Sequence, residues 1–266
     1  MVHASHITSG IMPRSDQDRE RDRKRYEVAG GRVPNHPDLM ASELLPLEYR
    51  PAVVEFERVV KNYVSSGSRV IELGCGTGRH TSALVKSSRF VVGIDYAMSA
   101  LLALQSCGSW GPQVQVTQAD IAAVPMPDSS FSVVVCTSSL SYADPVQLIG
   151  EIRRLLSSGG TLIVIDALRH NPIYQLNRFV ALLRGDRTFT SLRRIPSLKT
   201  IASLEKYFGN SEVRFFGHSL FLLSLLKIFC SLERSLQISM KLDRHLPRWM
   251  AFRFVLVATE LEKINI

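Results

Sequence analysis

The chain has 266 residues, 45% of them hydrophobic, which is enough for one α/β core and too little to expect a second independent domain. Its four cysteines form no C-x-x-C pair, so a zinc ribbon or disulfide framework is not expected, and they read as reduced thiols of a cytoplasmic protein. The N-terminal segment has no apolar signal-like run, and no stretch reaches the roughly 18 uninterrupted apolar residues that span a bilayer.

Residues 1–25 are polar and mixed in charge from Arg14 to Arg25, the composition of a flexible tail or of a helix that covers a substrate. Residues 1–49 are therefore set apart as a tail or lid, and 50–266 as the main domain. A helix is predicted at 51–64, followed by a strand at 69–73 and a helix at 79–86. A strand ending at Asp95, a helix at 97–105 and strands ending at Thr117 and Thr137 come next. A helix at 145–156 then leads to a strand ending at Ile165. Alternating strands and helices predict a parallel sheet covered on both faces. Beyond it the pattern loosens into two cap insertions, 167–209 and 218–250, with helices at 173–183 and 200–208. Strands at 212–216 and 252–259 complete the prediction.

The net charge of +8 is unevenly spread. Residues 167–206 hold eight basic side chains against Asp186 and Glu205. That segment is either a solvated face or an electrostatic funnel for an acidic partner such as a phosphorylated metabolite, a carboxylate or an anionic lipid headgroup. The insertion 218–250 opens with an apolar run from Leu220 to Phe229. Core packing, a dimer surface, and an apolar substrate tunnel or membrane-surface contact all fit it.

Val70-Ile71-Glu72-Leu73-Gly74-Cys75-Gly76-Thr77-Gly78 runs an apolar strand into a glycine turn that precedes a helix. Such a turn lets a nucleotide-type ligand lie against the backbone at a helix N-terminus. A dinucleotide turn, G-x-G-x-x-G, would need glycine at position 79, where Arg79 stands. Gly74-x-Gly76-x-Gly78 with Glu72 upstream instead resembles motif I of the class I S-adenosylmethionine-dependent methyltransferases.

Further motifs arrive in the family's order. Asp95 ends the second strand, and Gln118-Ala119-Asp120-Ile121 follows the third. Pro127-Asp128-Ser129-Ser130-Phe131-Ser132-Val133-Val134-Val135 is similar to the family's approach to the fourth strand, with Ser132 where Asp is common. Glu151-Ile152-Arg153-Arg154-Leu155-Leu156-Ser157-Ser158-Gly159-Gly160 is similar to E-x-x-R-V-L-K-P-G-G. The resemblance covers residues 50–166. It implies an α/β, Rossmann-like, doubly wound seven-stranded sheet, mostly parallel with an antiparallel last strand, carrying helical insertions.

The resemblance also implies S-adenosyl-L-methionine as cofactor and assigns roles. Glu72 would hold the methionyl amino group directly or through water, with the backbone of Gly74, Gly76 and Gly78 against the methionyl and ribose portions. Asp95 would take the ribose diol, Tyr96 and Ile121 would flank the adenine, Asp120 would accept from its amino group, and Thr137 would border the acceptor pocket. An oxygen or nitrogen acceptor would need a base. The candidates are Tyr142 and Asp144 after strand four, His170 after strand five, and more remotely His218, with His170 and Tyr142 preferred.

The Asn/Asp-Pro-Pro-aromatic signature of base-amino methyltransferases is replaced by Thr137-Ser138-Ser139-Leu140. A small-molecule acceptor, anionic or lipid-like, is expected, with no DNA partner; peripheral lipid contact and an oligomer stay open. The alternatives are an RNA methyltransferase, a non-catalytic adenosyl-binding scaffold and, more weakly, a nicotinamide oxidoreductase.

Overall fold

The computed structural model describes residues 14–30, 49–106, 111–219, 222, 226 and 228–261. Cys107, much of the predicted tail and most of the apolar run at 220–227 lie outside these residues. Seven strands form one sheet in the order β3-β2-β1-β4-β5-β7-β6. They are β1 (Val70–Leu73), β2 (Val91–Asp95), β3 (Val114–Gln118), β4 (Phe131–Thr137), β5 (Leu156–Ala167), β6 (Phe208–Phe216) and β7 (Arg253–Leu261). Only β7 runs against its neighbours, pairing antiparallel with both β5 and β6. This is the predicted sheet.

Alternation along the strands supplies two apolar faces. Val70, Val91, Val133, Ile163 and Val255 pack against α2 (Arg50–Tyr63), which buries Val53, Phe56, Val59 and Val60. Ile71, Ile94, Val134, Val164 and Leu256 share a cluster with Leu148, Ile152 and Leu155 of α5 (Pro145–Leu155). α3 (Thr81–Ser87) and α4 (Met98–Ser106) follow β1 and β2. The strand order reverses at β1, between β2 and β4, so the carboxyl ends of these strands open the crevice in which doubly wound sheets bind ligands.

The E-x-x-R motif proves to be a staple. Arg154 donates to Glu151, to Asp128 and to the carbonyls of Val124 and Met126, and Glu151 accepts from the Val124 N–H at 2.6 Å. It ties the segment before β4 to α5. Ser132 accepts the Arg69 N–H at 2.9 Å, tying the start of β4 to the residue before β1.

Several boundaries differ from the sequence reading. Residues 157–160, which close the E-x-x-R motif, belong to β5, which takes up the extra length where its register with β4 shifts between Phe131 and Val133. The cap holds α6 (Pro172–Leu183), an unforeseen short α7 (Phe189–Arg193) and α8 (Leu198–Glu205), and α9 (Leu232–Asp243) lies in the second insertion. The charged N-terminal stretch contains α1 (Arg14–Gly30). Within it, Glu20 pairs with Arg23 at 2.8 Å and Asp22 with Arg25 at 3.1 Å, both at helical spacing. Among the described residues, no helix is long and apolar enough to cross a membrane.

Candidate active site

A cavity of about 370 Å³ lies where the ends of β1, β2 and β4 meet α1. Its floor is the glycine turn. Gly74 sits at φ 81°, and a Cβ there would come within 2.5 Å of the Ser139 Cβ. Gly76, at φ 54°, faces open space, so its bare backbone leaves room for a ligand. Gly78 closes the turn through its N–H to the Cys75 carbonyl at 3.0 Å and does not line the cavity.

Asp95 lines the cavity at the end of β2. Its Oδ2 accepts the Gly76 N–H at 2.8 Å and its Oδ1 accepts the Ala97 N–H at 2.9 Å. Each oxygen keeps a second lone pair for a ligand hydroxyl. Burial raises its pKa, and the backbone donors oppose that rise. Tyr96, Asp120, Ile121 and Thr137 line the same cavity, so the structure brings these predicted residues together.

Glu72 stands apart. It is fully buried and absent from the cavity wall, which does not fit a direct hold on a methionyl amino group. Thr81 donates to one carboxylate oxygen at 2.6 Å and Thr137 to the other at 2.8 Å. Burial pushes its pKa up to about 7 despite those two donors. From this place Glu72 orients Thr137, which does reach the cavity.

The proposed bases separate. His170 is not on the cavity wall; its Nε2 accepts the Leu198 N–H at 3.1 Å, because the cap folds the chain after β5 back on α8. Asp144 caps α5 by accepting from Val146 and Gln147, and His218 is buried 3.6 Å from Asp243 beside α9. Tyr142 alone of this group lines the cavity, with its hydroxyl 2.5 Å from that of Tyr26. Burial and the second phenol push its pKa well up, which makes it a poor base.

The roof was not foreseen in detail. From α1, Arg19, Asp22, Arg23 and Tyr26 line the cavity. Arg19 is ion-paired with Asp120, and its guanidinium lies 5.3 Å from the Tyr96 ring centroid. Glu27 accepts the N–H groups of Met98 and Ser99 at 2.9 Å each, capping α4, while Asp18 accepts from Thr190 and Asp22 from Thr188. α1 is thus a polar strap from α4 to α7. Arg79, His80, Tyr49 and Arg253 also line the wall. His80 is pushed down to about 3 by burial and by the charges of Arg253 and Arg79, which keeps its imidazole neutral.

Residues 71–164 match the family model of a methyltransferase domain. The chain contains a class I S-adenosylmethionine-dependent methyltransferase domain. A probable S-adenosylmethionine-dependent methyltransferase of Mycobacterium tuberculosis is 33% identical over 96 residues, covering 36% of this chain and 34% of that protein. The demethylmenaquinone methyltransferase of Thermus thermophilus is 34% identical over 104 residues, covering 37% of this chain and 46% of its own length. The matches thus span about a third to a half of these curated relatives. In fold, the domain and its cap are similar to geranyl diphosphate C-methyltransferase of Streptomyces coelicolor, solved with Mg²⁺, geranyl diphosphate and S-adenosyl-L-homocysteine. The TM-score is 0.60 at 15% identity, over 96% of this chain and all of the other. The matched residues thus account for the β1–β5 part of the sheet, five of its seven strands, where the predicted cofactor residues converge.

The cavity fits the cofactor of that family. It offers an open backbone at Gly76, a carboxylate with spare lone pairs at Asp95, and a buried Ser139 Oγ that has no hydrogen-bond partner among the described residues.

Proposed function

We propose that the chain is an S-adenosylmethionine-dependent methyltransferase acting on a small molecule. The observation that carries this reading is the convergence of the glycine turn, Asp95, Tyr96, Asp120, Ile121 and Thr137 on one cavity. Asp95 would hold the ribose diol, Tyr96 and Ile121 the adenine faces, and Asp120 the adenine amino group once Arg19 yields its place. The backbone at Gly74 and Gly76 would lie against the methionyl and ribose portions, and Thr137, aimed by Glu72, would border the methionyl tail. The cofactor supplies a methyl group activated on a sulfonium. The protein's work is then to align the acceptor and exclude water, and α1 closes the cavity from above.

The wall favours an acceptor that needs little help losing a proton. His80 is held neutral with a low pKa, Tyr142 has a raised one, and His170 lies elsewhere. A carboxylate, thiolate or stabilised carbanion suits such a site better than an unactivated alcohol. An anionic or lipid-like small molecule is also supported by the basic cap, and the geranyl diphosphate enzyme shows the fold serving one acceptor of that kind.

Calorimetric titration with S-adenosylhomocysteine, using NAD as control, tests the cofactor assignment. Micromolar binding of the first alone supports it. Folded protein that binds neither overturns it.

A further inference from the structure

Arg253 brings into the cavity a charge that has no ion-pair partner among the described residues. It opens β7 opposite Ala167, and its guanidinium lies 4.4 Å from the Tyr49 ring centroid and 5.8 Å from that of Phe252. Its Nε is buried without a hydrogen-bond partner among the described residues. Asp166, whose charge reaches Arg253, already accepts the Leu140 N–H at 3.0 Å and the Ala167 N–H at 2.6 Å. Among the described residues, neither Arg253 nor Arg79, which lines the same cavity, forms an ion pair.

Arg154 shows what a structural arginine does in this protein. Its guanidinium is consumed by two carboxylates and two carbonyls. Arg253 has a ring stack instead, which offsets only part of the cost of removing a guanidinium from water. Its planar fork matches the two oxygens of a carboxylate or phosphate, and a second guanidinium within electrostatic reach strengthens that preference. The residue lines the cavity, where such a fork can be reached by a ligand.

We propose that Arg253, supported by Arg79, forms an anion-binding subsite of the cavity that takes a carboxylate or phosphate group of a bound ligand. The subsite rests on the reading of the cavity as the cofactor and acceptor site. Two sources present this chemistry there: the amino-acid end of the cofactor and an anionic group on the acceptor.

Calorimetry on the full chain separates them, comparing the native protein with Arg253→Gln. The probes are S-adenosylhomocysteine, methylthioadenosine, which lacks the amino-acid end, and inorganic pyrophosphate with and without saturating S-adenosylhomocysteine. A loss of at least tenfold in S-adenosylhomocysteine affinity, with methylthioadenosine unchanged, supports the subsite with the cofactor carboxylate as its ligand. Unchanged S-adenosylhomocysteine binding with tenfold or greater loss of pyrophosphate binding supports it with an acceptor group as ligand. Equal binding of every probe by both proteins overturns it, as does native protein that binds no pyrophosphate while the variant binds S-adenosylhomocysteine normally. If native protein binds neither nucleoside, the cofactor reading fails, and the pyrophosphate arm alone decides the subsite. Should Arg253→Gln not fold, Arg253→Lys keeps a charge over Tyr49 but loses the fork, and the same losses are expected.

Discussion

The floor of the cavity and its roof obtain their polar contacts by different routes. On the floor, the N–H groups of Gly74 and Cys75 donate to the Ile94 carbonyl at 2.7 and 3.0 Å, and Gly76 donates to Asp95 only 19 residues away. All of these belong to one β-α-β unit whose strands are buried and paired. On the roof, α1 reaches residues 71 to 172 positions distant through Glu27, Asp22 and Asp18, with no apolar stripe to anchor it. The floor is held by the sheet and is formed before any ligand arrives. The roof is held by polar contacts alone, two of them at the buried carboxylates Asp18 and Asp22, so its seating depends on those side chains and not on an apolar face.

Substitutions can break this contrast, and the largest effect is expected at Asp95. Asp95→Ala removes the proposed ribose acceptor and strands the Gly76 N–H. With charge-assisted hydrogen bonds worth roughly 1.5–3 kcal/mol each, S-adenosylhomocysteine affinity should fall on the order of 100-fold. A folded variant, checked by circular dichroism, that binds normally would remove the assignment.

Glu72 tests whether the floor is rigid enough to keep a carboxyl desolvated. Its folded pKa of about 7 lies above the ordinary 4.5, so the folded state retains the proton that the unfolded state gives up. The stability this provides is complete below the unfolded value and falls as pH rises towards 7, levelling above it. Glu72→Gln should therefore lose less stability than the native protein between pH 5 and 8, by on the order of 3 kcal/mol in chemical denaturation. Parallel pH profiles would contradict this. Asp95 and Asp166 are also raised by burial, so the difference between the two proteins is the quantity to compare.

Gly74→Ala should cost roughly 1–3 kcal/mol, because it combines a left-handed backbone with a collision against Ser139. Adding Ser139→Gly should return the steric part and leave the backbone part, read from thermal midpoints of the single and double variants. At the roof, Arg19→Ala should change stability by less than about 1 kcal/mol, since the pair with Asp120 is partly exposed. It should also raise S-adenosylhomocysteine affinity a few-fold by freeing Asp120. A marked fall would mean that α1 holds the ligand instead of competing with it.

The legibility of this protein follows the same division. The glycine turn, Asp95 and the strand ends were readable because spacing within a single β-α-β unit constrains where they lie. The E-x-x-R motif was readable as a pattern, but its job of clamping residues 124–128 needed coordinates. Position along the chain suggested His170 as a base, yet the cap turns its ring towards Leu198. Glu72 carries the expected motif, while burial and two threonines place it behind the wall.

By itself the sequence determined the alternation of strands and helices from α2 to β5, the glycine floor and the kind of cofactor such a floor accommodates. These are local features: alternating apolar residues select a strand face, and a glycine turn admits backbone that a Cβ would block. Only the tertiary structure decided that a charged N-terminal helix would roof the cavity, and that an arginine at the start of the last strand would face into it. Those outcomes depend on side chains brought together from positions 71 residues apart or more, and pairwise charge without an apolar period leaves no mark in the sequence to say which partners meet.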